Sequence, residues 1–522
     1  MAEVIGRSEP GAEFRTPLAG DVDVSEQPVQ ADDALGWGPP RGHRRVPPRK
    51  FAKLAAHPRR VIGGAVASGV VLDLAVRQPQ VGVAWAAWCA VILVAVAVLC
   101  AHRGAALVAF AAASLFVPWF VVRSSPWLLV PNTVALLALL GYGADLAAGG
   151  PVRRSVGGLT RVALSSLEAA VECPRFLGRT ARDATKGWRR PRRLPWRGIG
   201  RSVAIAGPVV FVLFLLLVSG DALFAATFDG PSVDGVGFDH FAIVVLGAWL
   251  FGIAATMATA PSRAPVVERD RRLRGMDAAV LLGGVGALFL VYAVVQLSAL
   301  MAGGQYVREQ TGLTYAEYAR TGFFQLMAAA AISFVVLCVV RPTVQRAETG
   351  ARLLRWLVGA VVVLTNGLVV GSIVRIQLYS DVFGLTHLRL YTVVAAVWLG
   401  VVVLLAGVAA IRRGPGDWMA VTASAAAALA VLAMNVVNPD QLVARENIGR
   451  ASAQTARFDA PYLSRLSDDA VPWIVDHLDE VPADERAGLV AALCADERPS
   501  GGWAAWNASA SAADEALAEL CG

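Results

Sequence analysis

The sequence predicts an all-α fold: a polytopic transmembrane helix bundle of about eleven spans, with a cytoplasmic N-terminus and an extracytoplasmic C-terminus. Three observations predict it. Hydrophobic residues fill 56% of the 522 positions and mean hydropathy is +0.55, more apolar surface than the cores of a soluble protein use. Apolar residues gather into runs long enough to cross a hydrocarbon layer of about 30 Å at about 1.5 Å per helical residue. Arginine and lysine fall in alternate loops, as they do where short loops stay in the cytoplasm.

The predicted spans lie near residues 61–76, 80–101, 104–122, 127–148, 202–219, 240–260, 276–302, 322–340, 356–378, 390–411 and 417–437. The first is short and carries Asp73, which Arg77 one turn later is placed to pair. Were it only to lie on the membrane, every later orientation would invert.

Charge sets the orientation. Residues 41–60 hold eight Lys or Arg, and residues 151–201 hold thirteen against three acids. Arginines also crowd 261–275, 341–355 and 412–413. All of these are cytoplasmic in an eleven-span arrangement. Residues 220–239 instead carry Asp221, Asp229, Asp234 and Asp239 without Lys or Arg, and residues 439–522 carry fifteen acids against six arginines. These belong outside. The organisation read from the chain is therefore a disordered basic tail (1–60), a four-helix membrane region (61–148), a basic amphipathic linker (149–201), a seven-helix membrane region (202–438) and an acidic helical tail (439–522).

In the linker, Leu159, Ala163, Leu167, Ala170 and Val171 recur at helical spacing opposite Arg161 and Glu168, with Pro174 interrupting the run. This predicts a helix along the cytoplasmic leaflet, although a plain positive-inside stop explains the arginines equally well. The C-terminal tail reads as a small helical appendage, and its Cys494 and Cys521 are either a disulfide or free thiols. The remaining cysteines show no Cys-x-x-Cys spacing, which leaves no obvious zinc or iron–sulfur site. Basic residues confined to loops between spans argue against nucleic acid as a partner.

Four stretches carry a family likeness. They are Ser219-Gly220-Asp221-Ala222-Leu223-Phe224; Thr314-Tyr315-Ala316-Glu317-Tyr318-Ala319-Arg320 with Gly322-Phe323-Phe324-Gln325-Leu326; Phe383-Gly384-Leu385-Thr386 with Arg389 and Tyr391; and Asn438-Pro439-Asp440 with Ala444, Asn447, Tyr462-Leu463-Ser464 and Leu466-Ser467. Together they make residues 200–475 resemble the domain-of-unknown-function 4173 family of bacterial multi-pass membrane proteins, a relative of the 4153 family. The resemblance implies a membrane location and no chemistry.

Laid on the predicted topology, all four stretches fall at the outer ends of helices or in outer loops. Charges cluster there where the orientation rule expects few: the candidate outer-face site is Asp221, Glu317, Arg320, Arg375, Asp381, His387 and Arg389. Arg375 lies about one turn inside its span, where an ionised group needs a partner. Interhelical salt bridges that fix helix register account for such a set. An outward vestibule whose guanidinium forks grip a phosphate or carboxylate accounts for it too.

No phosphate-cradling Gly-rich loop and no His-Glu-x-x-His occurs, so neither a catalytic residue nor a cofactor or metal ligand is assigned. Asn132, Gln296, Asn366 and Asn435 are expected to hydrogen-bond between helices, and Tyr292 with Gly283, Gly284 and Gly286 to mark close helix contacts. The leading expectation is a non-enzymatic multi-pass protein of the cell membrane, in contact with lipid, that binds an anionic lipid or glycan intermediate at its outer face. A transporter or flippase lined by Asn366, Gln296 and Arg375 is the alternative. An outer-face enzyme using Asp221, Asp381 or His387 is the third.

Overall fold

The computed structural model describes residues 57–100, 104–152, 156–184, 238–258, 273–311, 323–412, 414, 417–452, 458–495 and 501–522. Among them every regular element is helical. Nine helices or helix pairs are long and apolar enough to cross a membrane, from Val83–Cys100 to Asp417–Val437. The predicted run 202–219 lies outside the described residues. The run 61–76 forms helix α1 (Pro58–Val76), whose Arg59, Arg60 and Asp73 keep it out of that count.

Packing makes α1 part of the bundle. It lies against α2 (Val83–Cys100) and, further along the chain, the helix Phe238–Met257. Contact with the latter is close because both helices bring a glycine to the crossing. A Cβ on Gly69 would fall 2.4 Å from the Val244 carbonyl oxygen, and one on Gly247 2.7 Å from the Gly69 Cα. Ser68 donates to the Gly247 carbonyl there at 2.8 Å. Asp73 pairs with Arg77 at 3.1 Å, as its spacing predicts, and also with His240 at 2.6 Å.

One core joins α1, α2, the broken span α3 (Gly104–Ser114) and α4 (Trp119–Val122), α5 (Pro126–Ala147), α6 (Val156–Ala184) and α7 (Phe238–Met257). A second joins α8 (Gly275–Thr311), α9 (Phe323–Arg346), α10 (Ala351–Phe383) and α11 (His387–Ile411). Helix α12 (Asp417–Val437) bridges them: Met419 packs in the second core, and Ala428, Val431 and Leu432 pack on the first.

The linker helix α6 differs from expectation in one way. It runs unbroken through Pro174. It buries Val162, Ala169, Cys173 and Phe176 against its neighbours and leaves Leu164, Leu167 and Val171 exposed. The predicted apolar stripe is the outward one, the face that a helix lying along a leaflet would turn to lipid. The glycine run of α8 departs from its reading in part: among the described residues nothing lies within 4 Å of a Cβ at Gly283 or Gly284, whereas one at Gly286 would meet the Val361 side chain at 3.8 Å. Over Gly275–Leu297 that helix leaves its side chains largely exposed.

Chain reversals alternate between two ends of the bundle. At one, Thr343 donates to the Leu273 carbonyl and Gln345 to those of Ala409 and Arg412. The other carries a cap built from α13 (Pro439–Ser452), α14 (Ala460–Leu463), α15 (Val471–Asp476), α16 (Ala483–Ala495) and α17 (Ala508–Cys521). The segment that reads as an appendage has a core of its own, with Ile448, Leu463, Ile474, Leu489 and Leu517 buried together. Cys494 and Cys521 form a disulfide that ties α16 to α17, their Cα atoms 5.8 Å apart.

Candidate functional site

The cap meets the bundle at the reversal between α10 and α11. Gly384 closes it at φ +79°, a conformation costly for any residue with a Cβ, and an added Cβ would fall 2.6 Å from the Asn447 amide oxygen. Asn447 of the cap grips the turn from both sides: its oxygen accepts the Leu385 N–H and its NH2 donates to the Leu385 carbonyl, each at 2.8 Å. Two of the family-like stretches are thereby bonded to each other.

Beside this turn the end of α10, the start of α11 and α13 enclose a cleft of about 210 Å³. Ile376, Leu390 and Val393 form its apolar wall; Asp381, Arg389, Glu446 and Arg450 its charged one. Arg450 pairs with Asp381 at 3.1 Å and reaches Glu446 at 3.8 Å. Arg389 donates to the carbonyls of Phe383 and Gly384 and lies 4.5 Å over the Tyr379 ring. Among the described residues no carboxylate is within ion-pair distance of Arg389. Its charge is held by dipoles and is not cancelled.

The other candidates separate. His387 is buried behind the cleft, stacked on Trp127, with Nδ1 3.3 Å from the Tyr462 hydroxyl. Its Nε2 lies 3.2 Å from Asp440 Oδ2, within ion-pair reach although off the angle of a hydrogen bond. Arg375 points to the neighbouring helix, donating to Gln296 at 2.9 Å and Tyr292 at 3.1 Å. Asp221, Glu317 and Arg320 lie outside the described residues.

Beneath the cap is a buried polar hub that the charge survey did not reach. Asp469 is wholly enclosed. It accepts the N–H groups of Ser124 at 3.0 Å and Ser125 at 2.8 Å and the hydroxyl of Ser509, with Arg123 at 3.5 Å. Arg123 also donates twice to the Asn435 carbonyl, at 3.0 and 2.7 Å. One layer deeper, Asn132 and Asn435 exchange reciprocal amide bonds of 2.9 and 2.7 Å. These bridge helices as predicted, whereas Asn366 donates within its own helix, to Val362.

Asp440 joins the hub through Ser467, whose N–H it accepts at 3.0 Å. Burial pushes its carboxyl toward protonation, but the His387 imidazole, helped by the Ser125 hydroxyl and the Ser467 amide, outweighs burial and holds it below the ordinary carboxylate value. The Tyr462 phenol is raised, chiefly by burial. Asn438 sets up the whole corner. It takes φ +56°, a left-handed conformation that asparagine tolerates, and its NH2 donates to the Asp469 carbonyl at 2.9 Å. The sequence signal was present in Asn438-Pro439-Asp440 and Leu466-Ser467, which the family likeness marked without assigning bonds. Asp469 and Arg123 carried none.

Among the described residues no group of three or more His, Cys, Asp or Glu is arranged to hold a metal ion. No curated protein and no solved structure matches the chain. A family model does, described as a domain of unknown function, DUF4153. It covers residues 110–477, from within α3 to the end of α15, and so takes in the cleft, the turn at Gly384 and the hub except for Ser509. The match is to the 4153 family and does not show the 4173 family that the four stretches resemble. With well over half its length matched, this multi-pass membrane chain belongs to the DUF4153 family.

Proposed function

We propose that the protein recognises an anionic amphiphile, a lipid or lipid-borne intermediate carrying a phosphate or carboxylate, in the cleft between α10, α11 and α13. The observation that carries the reading is Arg389: a cation without a carboxylate partner among the described residues, facing a cleft apolar on one wall and charged on the other. The acidic composition of the cap supports an outer-face position for that cleft at the cell membrane, with the N-terminal tail inside. From the four family-like stretches we also infer kinship with the 4173 family.

Transport draws no support from Asn366, which bonds within its own helix, or from Gln296, which is engaged by Arg375. An enzyme using Asp381 and His387 draws none from their separate networks. Native mass spectrometry of the protein in mixed anionic and zwitterionic lipid tests the proposal. Arg389→Gln, removing charge-assisted bonds of about 1.5–3 kcal/mol, is expected to weaken anionic lipid retention about 10- to 100-fold. Asp381→Asn is expected to strengthen it. Equal retention by wild type and Arg389→Gln would sink the reading.

A further inference from the structure

Residues 501–507, between α16 and α17 and outside the family match, form a strap across the turn joining α1 to α2. Its backbone completes that span. The Ala504 carbonyl accepts the Ala84 N–H at 2.9 Å and the Trp506 carbonyl the Val83 N–H at 3.1 Å, satisfying donors that a helix leaves open at its start. Gly82 allows the approach, since a Cβ there would fall 2.4 Å from the Trp506 carbonyl oxygen. Gln80 donates to the Ala505 carbonyl at 3.0 Å. Asn507 fixes the end of the strap by donating to the carbonyls of Val81 and Arg123, each at 3.0 Å.

Ala504 and Ala505 face inward, whereas Trp503 is 73% and Trp506 49% exposed. Elsewhere the cap folds its large apolar residues into its own core. A strap that caps the first helical residues of a span lies at the depth where that span meets the hydrocarbon. Trp127, in the first turn of α5 and bonded through its carbonyl to Tyr391, is also exposed at this end. Indole, an apolar body with one N–H, is the side chain suited to the headgroup layer.

We infer that the strap is an interfacial membrane anchor, with Trp503 and Trp506 inserted among the lipid headgroups of the leaflet on the cap side. Its partner is the lipid surface. The experiment uses the full chain in lipid nanodiscs, comparing wild type with the Trp503→Phe, Trp506→Phe double variant, which keeps every backbone bond of the strap. Two of fourteen tryptophans are removed, so the difference spectrum isolates them. It is expected to be blue-shifted, quenched by phosphatidylcholine brominated near the headgroup end of its acyl chains, and insensitive to iodide. A red-shifted difference spectrum quenched by iodide overturns the proposal, as does one shielded from both quenchers, which would mean a protein cover. Wild type alone gives a second readout: a diazirine-bearing phosphatidylcholine should label the peptide containing residues 501–507. Labelling of the spans without that peptide also overturns it.

Discussion

Removing the Asp469 carboxylate should undock the cap from the bundle. The side chain has no solvent exposure, and Arg123, its charged partner, is 15% exposed. Asp469→Ala leaves the N–H groups of Ser124 and Ser125 without their acceptor and removes the anion facing a nearly buried guanidinium. Breaking a buried pair from one side costs about 3–5 kcal/mol, well above the ~0–1 kcal/mol of an exposed one. The two bonds from Arg123 to the Asn435 carbonyl survive and place the loss toward the lower end. Amide hydrogen exchange in nanodiscs reads this directly. Protection at Ser124, Ser125 and Ser467 should fall by about two to three orders of magnitude, with little change in the middle of α2. The control is Asp381→Ala, which breaks a pair whose carboxylate is 61% exposed and should shift protection less than about tenfold. A tenfold-or-smaller effect for Asp469→Ala would refute the assignment of the hub as the cap's fastening.

Gly384→Ala forces a Cβ into the left-handed turn and onto Asn447, so it should destabilise the cap junction by about 1–3 kcal/mol, read as a lower thermal midpoint. Because Asp440 has a folded-state pKa below its unfolded value of 3.8, its contribution is complete above that value and is lost as pH falls through the folded one. Cap protection should therefore decline as pH falls below about 4, and Asp440→Asn should remove that decline. Reducing Cys494–Cys521, which closes a 27-residue separation, should destabilise the cap by about 3.5 kcal/mol on chain-entropy grounds. Alkylation of unreduced protein should leave both cysteines unmodified. In a double-mutant cycle, Asn132→Ala and Asn435→Ala should couple by about 0.6–2 kcal/mol, since each amide loses the same partner.

Helix type and the alternation of reversals were legible because membrane length and loop charge are one-dimensional signals. Arg77 with Asp73, and interhelical bonding by Asn132 and Asn435 although not their pairing, were legible for a related reason: a polar group in an apolar span has few ways to be satisfied. Gly283 and Gly284 of α8 misled, because small residues mark close contact only when their face of the helix turns inward. Asp469 was invisible. A carboxylate in an acidic tail looks solvated until the fold brings Ser124 and Ser125 to it across more than three hundred positions. Of the candidate site, Asp381 and Arg389 were found by their unexpected place near an outer helix end, while Arg450 and Glu446 looked like ordinary charges on a polar helix.

The bonds made by Asn507 also impose an order on biosynthesis. Its side chain reaches Arg123, 384 positions earlier, and Val81, 426 earlier. At roughly 5–20 residues per second, the loops carrying those carbonyls wait about 20–80 s between their own synthesis and the arrival of their partner. Throughout that interval the first hairpins are inserted but unfinished at one end. Quality-control factors that survey open helix ends therefore have a window in which to bind, and a ribosome stalled before residue 507 leaves a chain whose spans are in place and whose end stays unlatched.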